Sequence, residues 1–234
     1  MYTAVIIEFR KHKAFSFVLS NFLENLSLEW KFIIFYGNLN SDFINNIIDK
    51  ELNIHKNRIT LCPLNFDNLT PVEYSKLLIN NKSIYDNIQT ELFLIFQTDS
   101  IILEKNKHQI NNFLKYDYVG APWGNNSKQD VGNGGLSLRR KSKMIKIMNK
   151  ENDSRKNLPE DCFFANATST SLYKPKPDEA FLFSIENIHG NNYPFGCHKP
   201  WGICGIESEF CQMYPEIIKL YELNIIENDM LITP

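Results

Sequence analysis

The stretch Leu92 to Ser100, LFLIFQTDS, sets five unbroken apolar residues directly ahead of Gln97, Thr98, Asp99 and Ser100. A run of this length and composition reads as a strand buried on both faces, the kind that parallel sheets cover with helices. Asp99 then stands at the carboxyl end of a buried strand. In open α/β sheets ligands gather at that edge, so the carboxylate is placed to meet a metal ion or a phosphate. The competing reading is a cap for the next helix or turn, a position that Asx residues favour.

Working outward toward the N-terminus, the same logic finds more strands with helices between them. Ala4 to Phe9 is a short apolar run closed by Glu8, Arg10 and Lys11, and Lys31 to Tyr36 (KFIIFY) ends at Gly37. Both read as buried strands. Between them Phe15, Val18, Leu19, Phe22, Leu23 and Leu26 recur at helical spacing. Ser41 can cap a helix carrying Ile44, Ile47 and Ile48, and Ile59 to Leu64 gives a weaker strand broken by Pro63. Thr70, Pro71 and Glu73 form a capping box with proline at the first helical position. This alternation predicts a mostly parallel, doubly wound α/β sheet flanked by helices, because parallel neighbours need helical crossovers.

Toward the C-terminus, Ile110, Phe113 and Leu114 predict a short helix, and Tyr116 to Trp123 (YDYVGAPW) a strand running into a Gly/Pro break. The run from Gly132, GNGGLSLRR, then offers Gly134 and Gly135 where backbone approaches a ligand or other backbone closely; a strand entered through a bulge accounts for the same glycines. Lys150 to Leu158 is polar and charged and reads as a mobile loop. It leads to Glu160 and Asp161 ahead of an apolar segment. The pair either serves a helix dipole or supplies a general base at a pocket edge. After the apolar Ala180 to Glu186 (AFLFSIE) comes Pro194 to Gly202 (PFGCHKPWG), a loop that gathers His198, Lys199 and Trp201. Imidazole suits Mn²⁺ or Zn²⁺ better than Mg²⁺, and the ammonium suits phosphate. The tail predicts one or two helices interrupted at Pro215.

At 234 residues and 43% hydrophobic content the chain can bury one sizeable core, and its length does not require two domains. A formal charge of −2 argues against a nucleic-acid footprint, leaving Arg139, Arg140, Lys141 and Lys143 as a local basic cluster: an anion contact or a solvated helix start. The N-terminal segment has the wrong charge order for a signal peptide, and no apolar run reaches the roughly twenty residues of a membrane span, so the expected location is cytoplasmic. Five cysteines without a CxxC pair suit reduced thiols. The turn after the first strand, Glu8 to His12, has no glycine for a dinucleotide pyrophosphate, and no GK[ST] follows any strand. Nucleotide phosphates must then be held some other way, and a metal at Asp99 would serve.

Taken together, FQTDS, YDYVGAPW, VGNGGLSLRR, PEDCFF and FSIE followed by PFGCHKPW resemble the successive motifs of a family of predicted glycosyltransferases with a GT-A-type fold, known mainly as an uncharacterised domain. The resemblance implies one domain over 1–234, with a nucleotide-binding half at 1–100 and an acceptor-binding half at 101–234. It implies transfer of a sugar from a nucleotide-sugar donor, a UDP-sugar by preference, to a hydroxyl of a glycan, protein or small-molecule acceptor. Gln97-Thr98-Asp99 falls where such enzymes carry a DxD metal motif, with Gln97 replacing the first acid. His198 would complete a site for Mn²⁺, with Mg²⁺ the alternative, and Lys199 matches the lysine of a KPW loop that meets the diphosphate. Gly134 and Gly135 match a glycine strand beside the sugar, Glu160 and Asp161 an acidic pair that supplies the base, with Asp161 preferred. Glu8 and Arg10 are expected near the nucleotide, and Trp123 and Trp201 are expected to stack on sugar. The alternative function is a nucleotide-sugar- or carbohydrate-binding module of the same fold that has lost turnover.

Overall fold

The computed structural model describes residues 1–124, 131–186 and 193–230. Its first third alternates strand and helix as the apolar runs require: β1 (Tyr2–Ile7), α1 (Phe15–Asn25), β2 (Trp30–Tyr36), α2 (Ser41–Lys50), β3 (Ile59–Pro63), α3 (Pro71–Asn80), α4 (Lys82–Asn87) and β4 (Leu92–Phe96). The Thr70–Glu73 capping box forms, with Pro71 in the first turn of α3. There follow β5 (Ser100–Ile102), β6 (Tyr118–Gly120), β7 (Leu136–Arg140), α5 (Lys141–Lys150), α6 (Glu160–Ala165), α7 (Pro177–Ala180), β8 (Ser184–Ile185), β9 (Gly196–His198), α8 (Trp201–Cys204), α9 (Glu209–Met213) and α10 (Pro215–Met230).

Six strands form the central sheet in the order β3-β2-β1-β4-β7-β6. The β1, β2, β3 and β4 pairings are parallel, while β7 runs antiparallel to both β4 and β6. The expected mostly parallel, helix-flanked α/β sheet is therefore present. All five residues of β4 are buried. Successive side chains of a strand point to opposite faces, so each strand feeds two cores. Leu94 and Phe96 join Phe15, Phe22 and Ile44 on one face, while Phe93 and Ile95 join Leu78, Tyr85 and Met144 on the other. Phe96 lies flat on Phe22 with ring centroids 3.9 Å apart.

A second, small sheet has the order β5-β9-β8. It corrects the reading of Pro194 to Gly202 as loop throughout, since Gly196–His198 is a strand and Trp201–Cys204 a helical turn. The segment around Ile110 is a 3₁₀ helix over Glu104–Asn112. The Lys150 to Leu158 stretch is also more ordered than its polarity suggests. Asp153–Asn157 is a 3₁₀ helix, and the buried Glu151 carboxylate accepts hydrogen bonds from the backbone and hydroxyls of Thr168 and Ser169. The basic cluster after β7 is largely consumed internally. Arg139 is fully buried against Glu160, Arg140 and Lys143 pair with Asp117, and Lys141 donates to the Ile88 carbonyl.

Candidate functional site

A cavity of about 490 Å³ opens at the carboxyl ends of β1 and β4, the edge where the parallel strands stop and their side chains turn polar. Glu8, Arg10, Gln97, Asp99, Gly134, Gly135, Glu160, Asp161, His198 and Lys199 all line it. The sequence scatters these residues over 190 positions, and three pieces of backbone architecture bring them together.

The first is the pairing of β1 with β4, which sets Glu8 and Thr98 side by side. The buried Glu8 carboxylate accepts from the Arg10 backbone N–H at 2.9 Å and from its guanidinium at 2.9 and 2.8 Å, and Thr98 reaches the same carboxylate at 3.3 Å. Asn40, fully buried at the start of α2, fixes this turn by donating to the Glu8 and Arg10 carbonyls.

The second is the small sheet. Antiparallel β5 and β9 put Ser100 opposite His198, and parallel β8 and β9 put Ile185 beside Cys197. The residue before Ser100 and the residue after Ile185 thereby reach the imidazole from two sides. Asp99 Oδ1 lies 2.9 Å from Nε2, and Glu186 Oε1 lies 2.9 Å from Nδ1. Lys199 follows with its Nζ 3.1 Å from Asp99 Oδ2 and its backbone N–H on the Asp99 carbonyl. Its φ of 47° is a left-handed conformation that a lysine adopts only when its surroundings hold it there. Although burial opposes both charges, Asp99 and then Glu186 raise the His198 pKa to about 9, and His198 with Lys199 holds the Asp99 carboxyl well below the usual carboxylate range.

The third is the glycine pair. A Cβ on Gly135 would stand 2.3 Å from His198 Cε1, and one on Gly134 would stand 2.3 Å from Glu160 Oε1 and 3.0 Å from the Asp161 Cβ. The glycines thus admit close side chains, with His198 on one flank and the α6 acids on the other. Ser100 ties this strand to the end of β4 by donating to the Gly135 carbonyl at 2.8 Å.

The two α6 acids part company here. Glu160 is buried and holds Arg139 in a bidentate pair at 2.6 and 3.0 Å. Burial pushes its carboxyl up and the guanidinium pulls it back, while Arg139 stays cationic with its pKa raised by the pair in spite of its own burial. Asp161 accepts only from the adjacent Cys162 N–H, and among the described residues no cation stands within ion-pair distance. The tryptophans depart from expectation, because neither lines the cavity. Trp123 lies against Gly132, and Trp201 packs edge-on to Tyr221 at 5.5 Å. Both are half-buried and pack against the edges of the two cores. Glu186 and Tyr74 also line the cavity, and apart from the position of Glu186 in FSIE no local pattern singles them out.

Five carboxylates line the cavity, against Arg10, His198 and Lys199 as its lining cations. A diphosphate settles here only with added positive charge. Asp99 Oδ1 and both His198 nitrogens are buried without a well-directed hydrogen bond, as is Glu186 Oε2, so the 2.9 Å contacts are close but misaligned as N–H···O bonds. Two donors bonded at about 2.1 Å to one ion at right angles lie roughly 3 Å apart, so Asp99 Oδ1 and His198 Nε2 have the spacing of shared ligands. Among the described residues there is no cluster of three or more protein ligands. The donor set thus fits a divalent cation shared with a phosphate ligand better than one held by protein alone.

The architecture is that of solved glycosyltransferases. The chain is similar to the glycosyltransferase GlyE of Streptococcus pneumoniae TIGR4, with a TM-score of 0.56 at 12% identity over 96% of this chain and 63% of that one. It is also similar to the mannosyltransferase PcManGT of Pyrobaculum calidifontis, solved with GDP-Man and Mn²⁺, with a TM-score of 0.54 at 8% identity over 75% of this chain and 54% of that one. The chain thus spans less than two thirds of either neighbour's length, and likenesses at such identities show the fold: a GT-A-like α/β fold. The chain belongs to the family described as a protein of unknown function, DUF5672, whose model matches residues 59–198 and so includes Asp99, the glycine pair, Asp161, Glu186 and His198. No curated protein matches the chain. Among the described residues no helix is long and apolar enough to cross a membrane.

Proposed function

We propose that the protein is a glycosyltransferase that moves a sugar from a nucleotide-sugar donor, with UDP-sugars the first to test, to a hydroxyl acceptor. The observation that carries this reading is the division of one cavity by Gly134 and Gly135, with the Asp99–His198–Lys199 group on one flank and the uncompensated Asp161 on the other. Donor activation and acceptor deprotonation need those two chemistries within reach of one bound substrate pair.

In the reaction, Asp161 accepts the proton of the acceptor hydroxyl as its oxygen bonds to the anomeric carbon. The bond from that carbon to the diphosphate oxygen breaks, and its electron pair leaves with the diphosphate. Lys199 neutralises part of the charge that develops there. Asp99 and His198 would hold a divalent cation, Mn²⁺ in preference to Mg²⁺ because of the imidazole, which supplies further positive charge at the leaving group. Glu8 and Arg10 face the nucleotide end. Glu160 keeps a structural charge on Arg139 and leaves the base role to Asp161.

A second reading, a binding module without turnover, draws on Gln97, the neutral residue that stands where a second metal-binding acid would have strengthened the site. Incubation with UDP- and GDP-sugars and MnCl₂, with released nucleoside diphosphate as the readout, separates the two. Transferase function predicts donor turnover that vanishes in Asp99→Ala. Donor binding with no nucleoside diphosphate released from any donor, with or without acceptors, would establish the module instead.

A further inference from the structure

We infer that Glu186 is a positioning residue of the cation site, taking the Nδ1 side of His198 so that Nε2 is the nitrogen presented to a divalent ion beside Asp99. The inference rests on the reading that Asp99 and His198 hold such an ion. It draws on geometry that this reading leaves unused.

β9 is the middle strand of the small sheet, and its neighbours bring one carboxylate each to its last residue. Asp99 arrives from the β5 side at Nε2 and Glu186 from the β8 side at Nδ1, each at 2.9 Å. The two acids therefore address opposite nitrogens of one ring. An ion shared by Nε2 and Asp99 leaves Glu186 on the ring's other nitrogen, where it is an orienting group and not a ligand. Imidazole ligands commonly give their second N–H to a carboxylate, which fixes the tautomer and makes the coordinating nitrogen more basic. Gly135 completes the arrangement, because the ring lies where a Cβ would have come within 2.4 Å of three of its atoms. With one face closed by backbone and a carboxylate oxygen 2.9 Å from each ring nitrogen, the imidazole has little room to turn, and the poorly directed N–H···O geometry leaves Nε2 open to an ion. Glu186 is itself largely buried, at 11% side-chain exposure, and its second oxygen has no hydrogen-bond partner. Its position is set by strand register and not by a chance surface contact.

The test is a titration of the full chain with MnCl₂ in the presence of UDP, with free Mn²⁺ followed by its EPR signal against a UDP-only control, on the native protein and on Glu186→Gln, Glu186→Ala, Asp99→Ala and His198→Ala. The expected result is loss of the site in Asp99→Ala and His198→Ala, and affinity reduced about 10- to 100-fold in the Glu186 variants. With ZnCl₂ in place of MnCl₂, ¹⁵N NMR of the imidazole should show coordination at Nε2 with a protonated Nδ1 in the native protein, and a mixture in Glu186→Ala. Glu186→Gln preserves shape and serves as the folded control if Glu186→Ala does not fold. Native-like Mn²⁺ affinity in Glu186→Gln and Glu186→Ala, with Asp99→Ala and His198→Ala still abolishing the site, overturns the role of Glu186 and leaves the cation reading intact. Failure of the native protein to take up Mn²⁺ even with UDP present overturns both.

Discussion

The six-stranded and three-stranded sheets put their side chains to opposite uses. The large sheet is built from Val, Ile, Leu and Phe facing two cores, and its buried residues touch one another. The small sheet is eight residues long in total and buries Ser100, Ser184 and His198 together with acids at its ends. Burial in the first is repaid by apolar contact, while burial in the second leaves polar atoms without directed partners. Apolar packing is concentrated in one sheet and buried polar groups in the other, and substitutions in the sheets and in the cavity beside them should divide along that line.

The largest expected effect falls on the chemical side. Asp161→Asn should lower sugar transfer by about 10²- to 10⁴-fold while donor binding, measured by calorimetry, stays within a few-fold of native. Unchanged turnover would remove Asp161 as the base. Glu160→Gln, one residue earlier, should behave in the opposite manner: breaking a buried pair with Arg139 costs about 3–5 kcal/mol, visible in urea melts, while activity per folded molecule persists. Should Glu160→Gln abolish transfer in protein that melts like the native chain, the division between the two acids collapses.

Phe96→Ala in the large sheet should cost about 3–5 kcal/mol of stability through lost contact with Phe22 and the cavity left behind. Gly135→Ala should cost less stability than it costs function, since the added methyl meets the His198 ring; a drop of about 10-fold or more in Mn²⁺ affinity is the measurement to make. A smaller effect is expected away from the cavity lining, at Glu151. Burial would raise its pKa, but the Ser169 backbone and Thr168 hydroxyl hydrogen bonds and their companions lower it from 4.5 to about 2. A depressed folded pKa contributes stability above the unfolded value and loses it as pH falls through the folded one. Native protein should therefore exceed Glu151→Gln by about 1–3 kcal/mol at pH 7, with the gap closing between about pH 4.5 and 2 in pH-resolved melts.

Much of the large sheet could be read from single runs. LFLIF, KFIIFY and the segment from Ala4 declare buried strands because a strand covered on both faces must be apolar at every position, and the Thr70 capping box forms because its bonds are local. Other features depend on partners distant in sequence. Arg139 reads as part of a basic cluster until Glu160 is seen beside it, and Lys150 to Leu158 reads as a free loop until Thr168 and Ser169 are placed on Glu151. Trp123 and Trp201 have the right chemistry for sugar stacking, but both lie half-buried outside the lining of the cavity.

The sequence by itself determined that Asp99 ends a buried strand, that the strands preceding it run parallel, and that a histidine and a lysine follow in a turn-rich segment. These depend on period, run length and local hydrogen bonds, which neighbouring residues specify. Only the tertiary structure decided that β5 pairs with β9, which brings His198 onto Asp99 and Glu186 onto His198. It also separated Glu160 from Asp161 by giving one of them an arginine. Strand pairing across a hundred residues is settled by which faces can be buried together, and no local pattern carries that information.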